Sequence, residues 1–439
     1  MSNLRWLTYL IFIYTCIEGL VINVSYPNTL PFIYKDFAII AAYLALVTDS
    51  RGGSGTLGKL GGSFVLFGLV TCFFLAMPSQ VSMLGMLVAV KQRLLYIPLA
   101  YVGYHFLQDE RDYFGLMRLM AFTSIPVSLF GIYLYFVGPI GLTSLGANYS
   151  AIIASTAGSH GIAFWRVPST FNSPGQFGIF LLANGAVMLG VLFGQGANKR
   201  LRTLTSVSMV ILLIALMLSG SRTPLLLLMM IAALLLVVTG RLGGIGIAAA
   251  SGYAIFAVAF SYFGGGVEDR VGSIASWEHV ERFRDTYFGQ LFLQFLQESP
   301  MGFGLGRATI GARHFNQWQN VMLVESYFGI IAAEMGVIGL AVFSWMIGGI
   351  VWLIWKMSRV MVSSRFNVNW LSIALLLGSI LGLLPVGTPI DAAPGNLYFW
   401  FFLGMIVKMY DQYRAGGWPS GASPQAPPPA PLPPYSGYR

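Results

Sequence analysis

Apolar runs separated by short polar segments dominate the chain, and about 20 apolar residues in a run are enough to cross a bilayer. In lipid the backbone polar groups must hydrogen-bond to one another, so such runs form helices. The pattern predicts an all-α polytopic membrane protein with about twelve spans. The predicted spans cover about residues 5–22, 30–48, 62–78, 81–107, 113–136, 175–194, 203–219, 224–240, 243–263, 326–355, 368–385 and 396–410.

Composition agrees with this class and excludes others. Of the 439 residues, 56% are hydrophobic and 9% are charged, and the mean hydropathy is +0.72. These values exclude a soluble domain with a single membrane anchor. Both cysteines, Cys16 and Cys72, lie in apolar runs, which leaves neither a disulfide framework nor a thiolate metal site.

The basic loops set the orientation of the spans and account for the net charge of +9, so no nucleic-acid partner is expected. With the N-terminus in the cytoplasm, Lys and Arg side chains collect in the cytoplasmic loops, whereas the short outer loops carry only Arg166 and Arg222. This distribution follows the positive-inside rule. The cytoplasmic basic loops are 49–61, 108–112, 195–202, 241–242 and 356–367.

Loop lengths divide the chain further. Spans one to nine occupy residues 1–263 and include an outer loop at about 137–174. A large outer loop, 264–325, lies between spans nine and ten and is too long for a simple connector. The last three spans occupy residues 326–414, and the proline-rich segment 415–439 is predicted to be a disordered cytoplasmic tail.

The large outer loop combines arginine with an amphipathic pattern. It contains no lysine, and planar guanidinium groups suit forked recognition of oxyanions better than ammonium groups do. Apolar residues recur at helical spacing from Val280 to Phe295, which predicts a helix on the outer membrane surface with its apolar side towards the lipid. Arg282 and Arg284 belong to this helix, which the segment Pro300–Gly306 ends. A solvated lid that binds nothing is the alternative.

A tight turn, Ser219–Thr223, joins the uncharged apolar runs of two spans, and Arg222 is its only charge. Arg222 is predicted to lie at the membrane surface beside the Ser221 hydroxyl and the N–H groups that begin the next helix. These groups together would bind a phosphate or a carboxylate. The alternative is a capped hairpin in which Arg222 extends to the interface without a ligand.

Charged residues within the predicted spans are further candidates. Lys91 and Arg93 lie deep in the fourth span, and Lys35 and Asp36 lie near the outer end of the second. Because charges inside a bilayer are costly, they mark either a substrate contact or an ion pair between spans. The outer loops contain neither an Asp-x-Asp pair nor a His/Cys cluster, so no metal site is expected.

Four short motifs follow one another along the chain. They are Arg166–Gly175, which opens a span, the hairpin Ser219–Thr223, the glycine-rich turn Pro300–Gly306, and Glu325–Leu340, which returns the large loop to the membrane. In this order they resemble motifs of the O-antigen ligase and Wzy-type polysaccharide polymerase superfamily of bacterial inner-membrane glycosyltransferases. The resemblance covers roughly residues 30–405 and implies a GT-C-like fold.

The chain departs from the ligases of that family at one position. Those enzymes carry a histidine at the start of the last motif, where this chain has Glu325. His314 lies upstream and could not take the same place without rearrangement. The resemblance therefore implies a polymerase of polysaccharide repeat units, with Glu325 as the base.

The implied reaction transfers an undecaprenyl-diphosphate-linked glycan to a sugar hydroxyl of a second lipid-linked unit on the periplasmic face. The donor is already activated, so neither a cofactor nor a metal is expected. The expected partners are the lipid-linked oligosaccharide, membrane lipids, and a chain-length regulator and flippase of the same pathway. The implied residues are Glu325 and Arg222 for catalysis, Arg166, Arg222, Arg282 and Arg284 for the diphosphate, and Ser221, His314, Lys91 and Arg93 for further donor or acceptor contacts.

Three alternatives stay open at the level of sequence. A ligase would transfer the glycan to lipid A core or to protein. A flippase or another transporter of lipid-linked glycans would also have around a dozen spans, but it would line a central cavity with charges from many of them. A non-catalytic assembly subunit would tolerate the loss of any single outer arginine.

Overall fold

The structure is a computed structural model of the chain. It describes residues 2–25, 31–49, 53, 55–77, 81–141, 154–157, 163–194, 196–240, 291–309, 311–312, 322–361 and 367–416. Helices make up almost all of this part of the chain. They are α1 (Ser2–Ser25), α2 (Pro31–Asp49), α3 (Gly61–Leu75), α4 (Met83–Leu94), α5 (Leu99–Phe106), α6 (Glu110–Gly141), α7 (Pro174–Phe193), α8 (Lys199–Leu218), α9 (Arg222–Val238), α10 (Leu291–Glu298), α11 (Tyr327–Met361), α12 (Asn367–Leu383) and α13 (Gly395–Arg414), with a 3₁₀ helix at Gly55–Leu60.

The helices agree with the predicted pattern of spans. Each predicted span within the described residues coincides with a helix or, at 81–107, with two. Among these residues, 7 helices are long and apolar enough to cross a membrane, and Arg222–Val238 and Val368–Leu383 are shorter apolar helices. This is the architecture of a polytopic membrane protein. The predicted span 243–263 and the tail beyond residue 416 lie outside the described residues.

Two local features were not predicted. The span 81–107 is interrupted between α4 and α5, because Pro98 has no N–H to donate and the turn there uses tighter bonds, such as that from the Leu99 N–H to the Tyr96 carbonyl at 3.0 Å. The outer loop 137–174 contains a short antiparallel hairpin of β1 (Ala154–Ala157) and β2 (Ala163–Arg166). Pairing of Ala154 with Arg166 fixes the register.

Helices α7 and α13 lie at the centre of the bundle. Three quarters of the residues of each helix are buried. Helix α7 packs against α9 and α12, and α13 packs against α5. The Trp370 indole, itself fully buried in α12, donates to the Ile406 carbonyl of α13 at 3.1 Å. These central helices provide the frame on which the more peripheral helices are placed.

The structure describes only the last part of the predicted surface helix. Helix α10 ends at Glu298, before Pro300, as the sequence predicts. Phe295 is buried and packs edge-on against Phe303, with ring centroids 6.3 Å apart. Helix α10 thus places this apolar residue against the protein itself, where it also contacts α11. The start of the predicted helix lies outside the described residues.

A buried carboxylate connects the large outer loop to the bundle. Glu334 in α11 is 0% exposed and forms an ion pair with Arg93 of α4. The same carboxylate accepts hydrogen bonds from the backbone N–H groups of Ala308 and Thr309, both at 2.6 Å, and from the Thr309 hydroxyl at 3.2 Å. One side chain therefore holds together two helices and the end of the loop.

The glycine-rich turn is shaped to fit beside this carboxylate. Helix α11 is kinked at Gly336, whose φ of 57° suits glycine. At the kink the Val337 N–H donates to the Pro300 carbonyl at 2.9 Å, and the Phe303 N–H donates to the Ala333 carbonyl at 2.7 Å. A Cβ atom at Gly336 would collide with the Pro300 carbonyl. The turn and the kink therefore depend on each other.

We predict that Glu334→Gln lowers the free energy of unfolding by about 3–5 kcal/mol, because it leaves the Arg93 charge buried without its counter-charge. Unfolding of the purified protein in mixed micelles with increasing dodecyl sulfate, followed by tryptophan fluorescence, measures the loss. Glu298→Gln is the matched control, since Glu298 is exposed and, among the described residues, accepts only the Gln294 amide at 2.7 Å. It should change stability by less than about 0.5 kcal/mol. Equal losses in the two variants would contradict the assignment.

Candidate functional site

A cavity of about 1090 Å³ opens at one end of the helix bundle. Its wall is formed by the C-terminal ends of α1 and α12, by the N-terminal ends of α2, α7, α9 and α13, by α4, and by the residues before α11. Because successive spans alternate in direction, these ends share one side of the bundle. That side lies opposite the ends joined by the basic loops 49–61, 108–112 and 195–202. We call it the cavity end.

Arg166 enters the cavity from the hairpin. It is the last residue of β2 and is held by pairing with Ala154. Its Nε is buried and has no hydrogen-bond partner among the described residues. Burial lowers the pKa of the Arg166 guanidinium, because removal from water disfavours its charged form. A bound anion would compensate for this cost.

Arg222 enters the cavity from the turn between α8 and α9. Gly220, with a φ of 64°, reverses the chain, and the Ser221 N–H donates to the Ser219 hydroxyl at 3.2 Å. Arg222 is then the first residue of α9, and its Nε is buried without a partner in the described part of the chain. Arg166 is near enough to interact with it electrostatically. Two like charges are therefore held close together with no described carboxylate within salt-bridge distance of either.

Helix ends add to the positive potential around these arginines. Helices α7, α9 and α13 all begin at the cavity, and a helix N-terminus carries a partial positive charge and unpaired N–H groups. The Ser221 hydroxyl lines the cavity while donating to the Pro174 carbonyl at 3.2 Å. It thereby joins the start of α9 to the start of α7. This arrangement fits a polyanionic group such as a diphosphate.

Glu325 lies on the same cavity and is exposed. A carboxylate at this position could also cap the helix that follows it, where negative charge meets the positive end of the helix dipole. In the structure the neighbouring Ser326 does so, because its hydroxyl accepts from the Gly329 N–H at 3.1 Å. Glu325 thus lies on the cavity wall beside a helix start that another side chain caps.

The two basic residues of α4 have different positions. Lys91 lines the cavity and forms an ion pair with Asp36 at 2.7 Å. Arg93 is 3% exposed and directed into the ion pair with Glu334. Arg93 thus forms the ion pair between spans that was one of the two interpretations left open by the sequence, and its predicted contact with a substrate stays untested. Arg282, Arg284 and His314 lie outside the described residues.

Several polar residues of the cavity were not predicted as site residues. Gln92 and Asn396 have buried side-chain atoms with no partner in the part of the chain that the structure describes, and Glu18 and Lys35 form an ion pair at 2.7 Å in the wall. The signal for the ion pair was present in the sequence, since charges within apolar runs are costly. The amides gave no such signal, because uncharged polar residues are common in spans.

The described residues hold no group of three or more His, Cys, Asp or Glu that could bind a metal ion. Comparison of the chain with models of known protein families and with curated proteins finds no match. Three of the four motifs, at Arg166–Gly175, Ser219–Thr223 and Glu325–Leu340, contribute residues to the one cavity.

We predict that inorganic pyrophosphate binds this arginine pair and raises the thermal stability of the purified protein at low salt, since a ligand that binds only the folded state stabilises it. Arg222→Lys should weaken pyrophosphate binding at least about tenfold, because an ammonium group cannot form the forked contact. Arg359→Lys is the control, as Arg359 is exposed and stacks on Trp355 at 3.7 Å near the opposite end of α11. Equal binding by both variants would place the anion elsewhere.

Proposed function

We propose that this protein is a bacterial inner-membrane polymerase of surface polysaccharide repeat units, of the O-antigen ligase and Wzy-type superfamily. It would act at the periplasmic face on undecaprenyl-diphosphate-linked glycans. The observation that carries the proposal is the pair Arg166 and Arg222, held together at the cavity end with no described carboxylate to neutralise them and with Glu325 on the same cavity. A lipid-borne diphosphate would lie at this level of a bundle of membrane-spanning helices.

The proposed reaction has a simple balance. The hydroxyl oxygen of the acceptor sugar attacks the anomeric carbon of the donor sugar, and the bond from that carbon to the phosphate oxygen breaks. Undecaprenyl diphosphate leaves with the bonding electrons, and the hydroxyl proton passes to a base. Arg166 and Arg222 would stabilise the negative charge that develops on the diphosphate, and they require no metal to do so.

Glu325 is the proposed base. Its carboxylate lies on the cavity and is exposed, so it can accept a hydrogen bond from a sugar hydroxyl and then its proton. Arg282 and Arg284 remain proposed contributors to the binding of the diphosphate, and His314 remains the second candidate for the base.

One observation favours a second candidate, a flippase or another transporter of lipid-linked glycans. Charged residues from α1, α2 and α4 also line the cavity, as Glu18, Lys35 and Lys91 show, and charges from several spans are the feature expected of a transport pathway. These charges are paired, however, with Glu18 on Lys35 and Asp36 on Lys91, both at 2.7 Å. Charges in such ion pairs hold neighbouring helices together and are less suited to binding a substrate along a transport pathway.

The test is the fate of the glycan in a deletion strain of the source bacterium. If the proposal is correct, single repeat units on lipid accumulate and polymer is lost. Free lipid-linked polymer would indicate a ligase, and repeat units trapped on the cytoplasmic face would indicate a flippase. The strain complemented with Arg222→Lys should make polymer about 30- to 1000-fold more slowly, the scale of a deleted oxyanion donor, whereas Arg359→Lys should restore the wild-type rate.

We predict that Glu325→Gln reduces the polymerisation rate about 100- to 10,000-fold, because glutamine can accept a hydrogen bond but cannot take a proton. The assay follows polymer formation by purified protein from lipid-linked repeat units. Stability should stay within about 0.5 kcal/mol of the wild type, since Ser326 caps the helix.

The matched control is again Glu298→Gln, which changes a carboxylate on α10 that does not line the cavity. Pyrophosphate binding should survive in both variants, because the arginines are unchanged. Polymer of normal length and amount from Glu325→Gln would exclude Glu325 as the base, and His314 would be tested next.

A further inference from the structure

The cavity concentrates polar groups that lack partners. Four of the buried side-chain atoms without a hydrogen bond in the described part of the chain belong to residues of its wall. Such an atom costs about 1–3 kcal/mol when nothing compensates for it, so several around one cavity point to a polar ligand. The atoms are Nε of Arg166 and of Arg222, Oε1 of Gln92 and Nδ2 of Asn396.

Gln92 is held in place by the end of the large outer loop. It follows Lys91 on α4, and its amide nitrogen packs against Gly311, where a Cβ atom would collide with it. Gly311 is near Thr309, which the buried Glu334 carboxylate fixes. The amide is therefore oriented by the loop, and its Oε1 is buried in this residue of the cavity wall without a partner in the described part of the chain.

Asn396 contributes a hydrogen-bond donor, whereas Gln92 contributes an acceptor. It lies at the start of α13 and is 1% exposed. Its Oδ1 accepts from the Leu397 N–H at 2.7 Å, which leaves Nδ2 as a donor with no partner among the described residues. The cavity thus presents one fixed amide acceptor and one fixed amide donor in addition to the arginines.

The cations of the cavity wall are of two kinds, those in ion pairs and those without one, and each kind suits a different class of ligand. Around Gln92 the cations are neutralised, Lys35 by Glu18 and Lys91 by Asp36. Arg166 and Arg222 come from the hairpin and from α9, which packs on α7, whereas Gln92 belongs to α4, which packs on α3. A neutral wall of hydrogen-bonding groups suits a ligand rich in hydroxyls, and the unpaired arginines suit an anion. A sugar joined to a diphosphate has both parts.

We propose that Gln92 and Asn396 form a sugar-binding subsite of this cavity, next to the arginines that bind the diphosphate. A sugar hydroxyl both donates and accepts, so a glycan can donate to Gln92 and accept from Asn396. The proposal rests on the proposed function and deepens it: these two residues recognise the glycan, whereas Arg166 and Arg222 recognise the group that carries it.

The experiment compares two probes on the purified full-length protein in detergent. One is undecaprenyl diphosphate, and the other is the lipid-linked oligosaccharide extracted from the deletion strain. Gln92→Met has a similar volume and removes the acceptor. It should weaken binding of the glycan-bearing probe about tenfold and leave undecaprenyl diphosphate within about twofold. Gly311→Ala, which displaces the Gln92 amide, should reproduce this selective loss, and Gln294→Met on the exposed face of α10 should change neither.

The outcomes are distinct. Equal weakening of both probes by Gln92→Met, or no weakening, would overturn the sugar subsite. If the wild type binds undecaprenyl diphosphate but gains nothing from the attached glycan, the subsite is wrong while the diphosphate site stands. If the wild type binds neither probe, or the deletion strain contains no lipid-linked oligosaccharide, the proposed function itself fails and the subsite fails with it.

Discussion

The ion pair between Arg93 and Glu334 is the interaction on which the cavity depends. A carboxylate that is 0% exposed is stable only if its oxygens are fully hydrogen-bonded. Glu334 meets this requirement with the guanidinium of Arg93, two backbone N–H groups and the Thr309 hydroxyl. Since these donors come from α4 and from the end of the large loop, the loop has to return to the bundle at one place. That place is the wall containing Gln92 and Gly311.

Arg166 and Arg222 differ from the other cations of the cavity because those cations form ion pairs. Glu18 and Asp36 already neutralise Lys35 and Lys91. These two carboxylates are thereby occupied, and no other described carboxylate lies within salt-bridge distance of Arg166 or Arg222. The protein tolerates this repulsion because the hairpin and the turn at Gly220 fix both side chains from the backbone. A site that binds an anion strongly has to be assembled against such a cost.

The sequence predicted the parts of the structure that depend on local pattern. Helix α7 covers Pro174–Phe193 against a predicted 175–194, and Arg222 begins α9 as the uncharged runs on either side of it indicated. Contacts between segments that are far apart in the chain could not be predicted from the sequence. Nothing in the neighbourhood of Arg93 identifies Glu334 as its partner, and nothing near Gln92 indicates that Gly311 packs on its amide. The hairpin at Arg166 was missed because its strands are short and lie in a loop of mixed composition.

The kink at Gly336 divides α11 into a long piece that can cross the bilayer and a short piece that lies beside the cavity. Residues 337–361, at 1.5 Å per residue, extend about 37 Å, which by itself exceeds a hydrocarbon core of about 30 Å. The shorter piece, which carries Glu334 and follows Glu325, is therefore not needed to cross the bilayer and takes its direction from the protein. At the kink this direction is fixed by the hydrogen bonds from the Val337 N–H to the Pro300 carbonyl and from the Phe303 N–H to the Ala333 carbonyl. The place of Glu325 beside the cavity thus follows from contacts within the protein and not from the length needed to cross the bilayer.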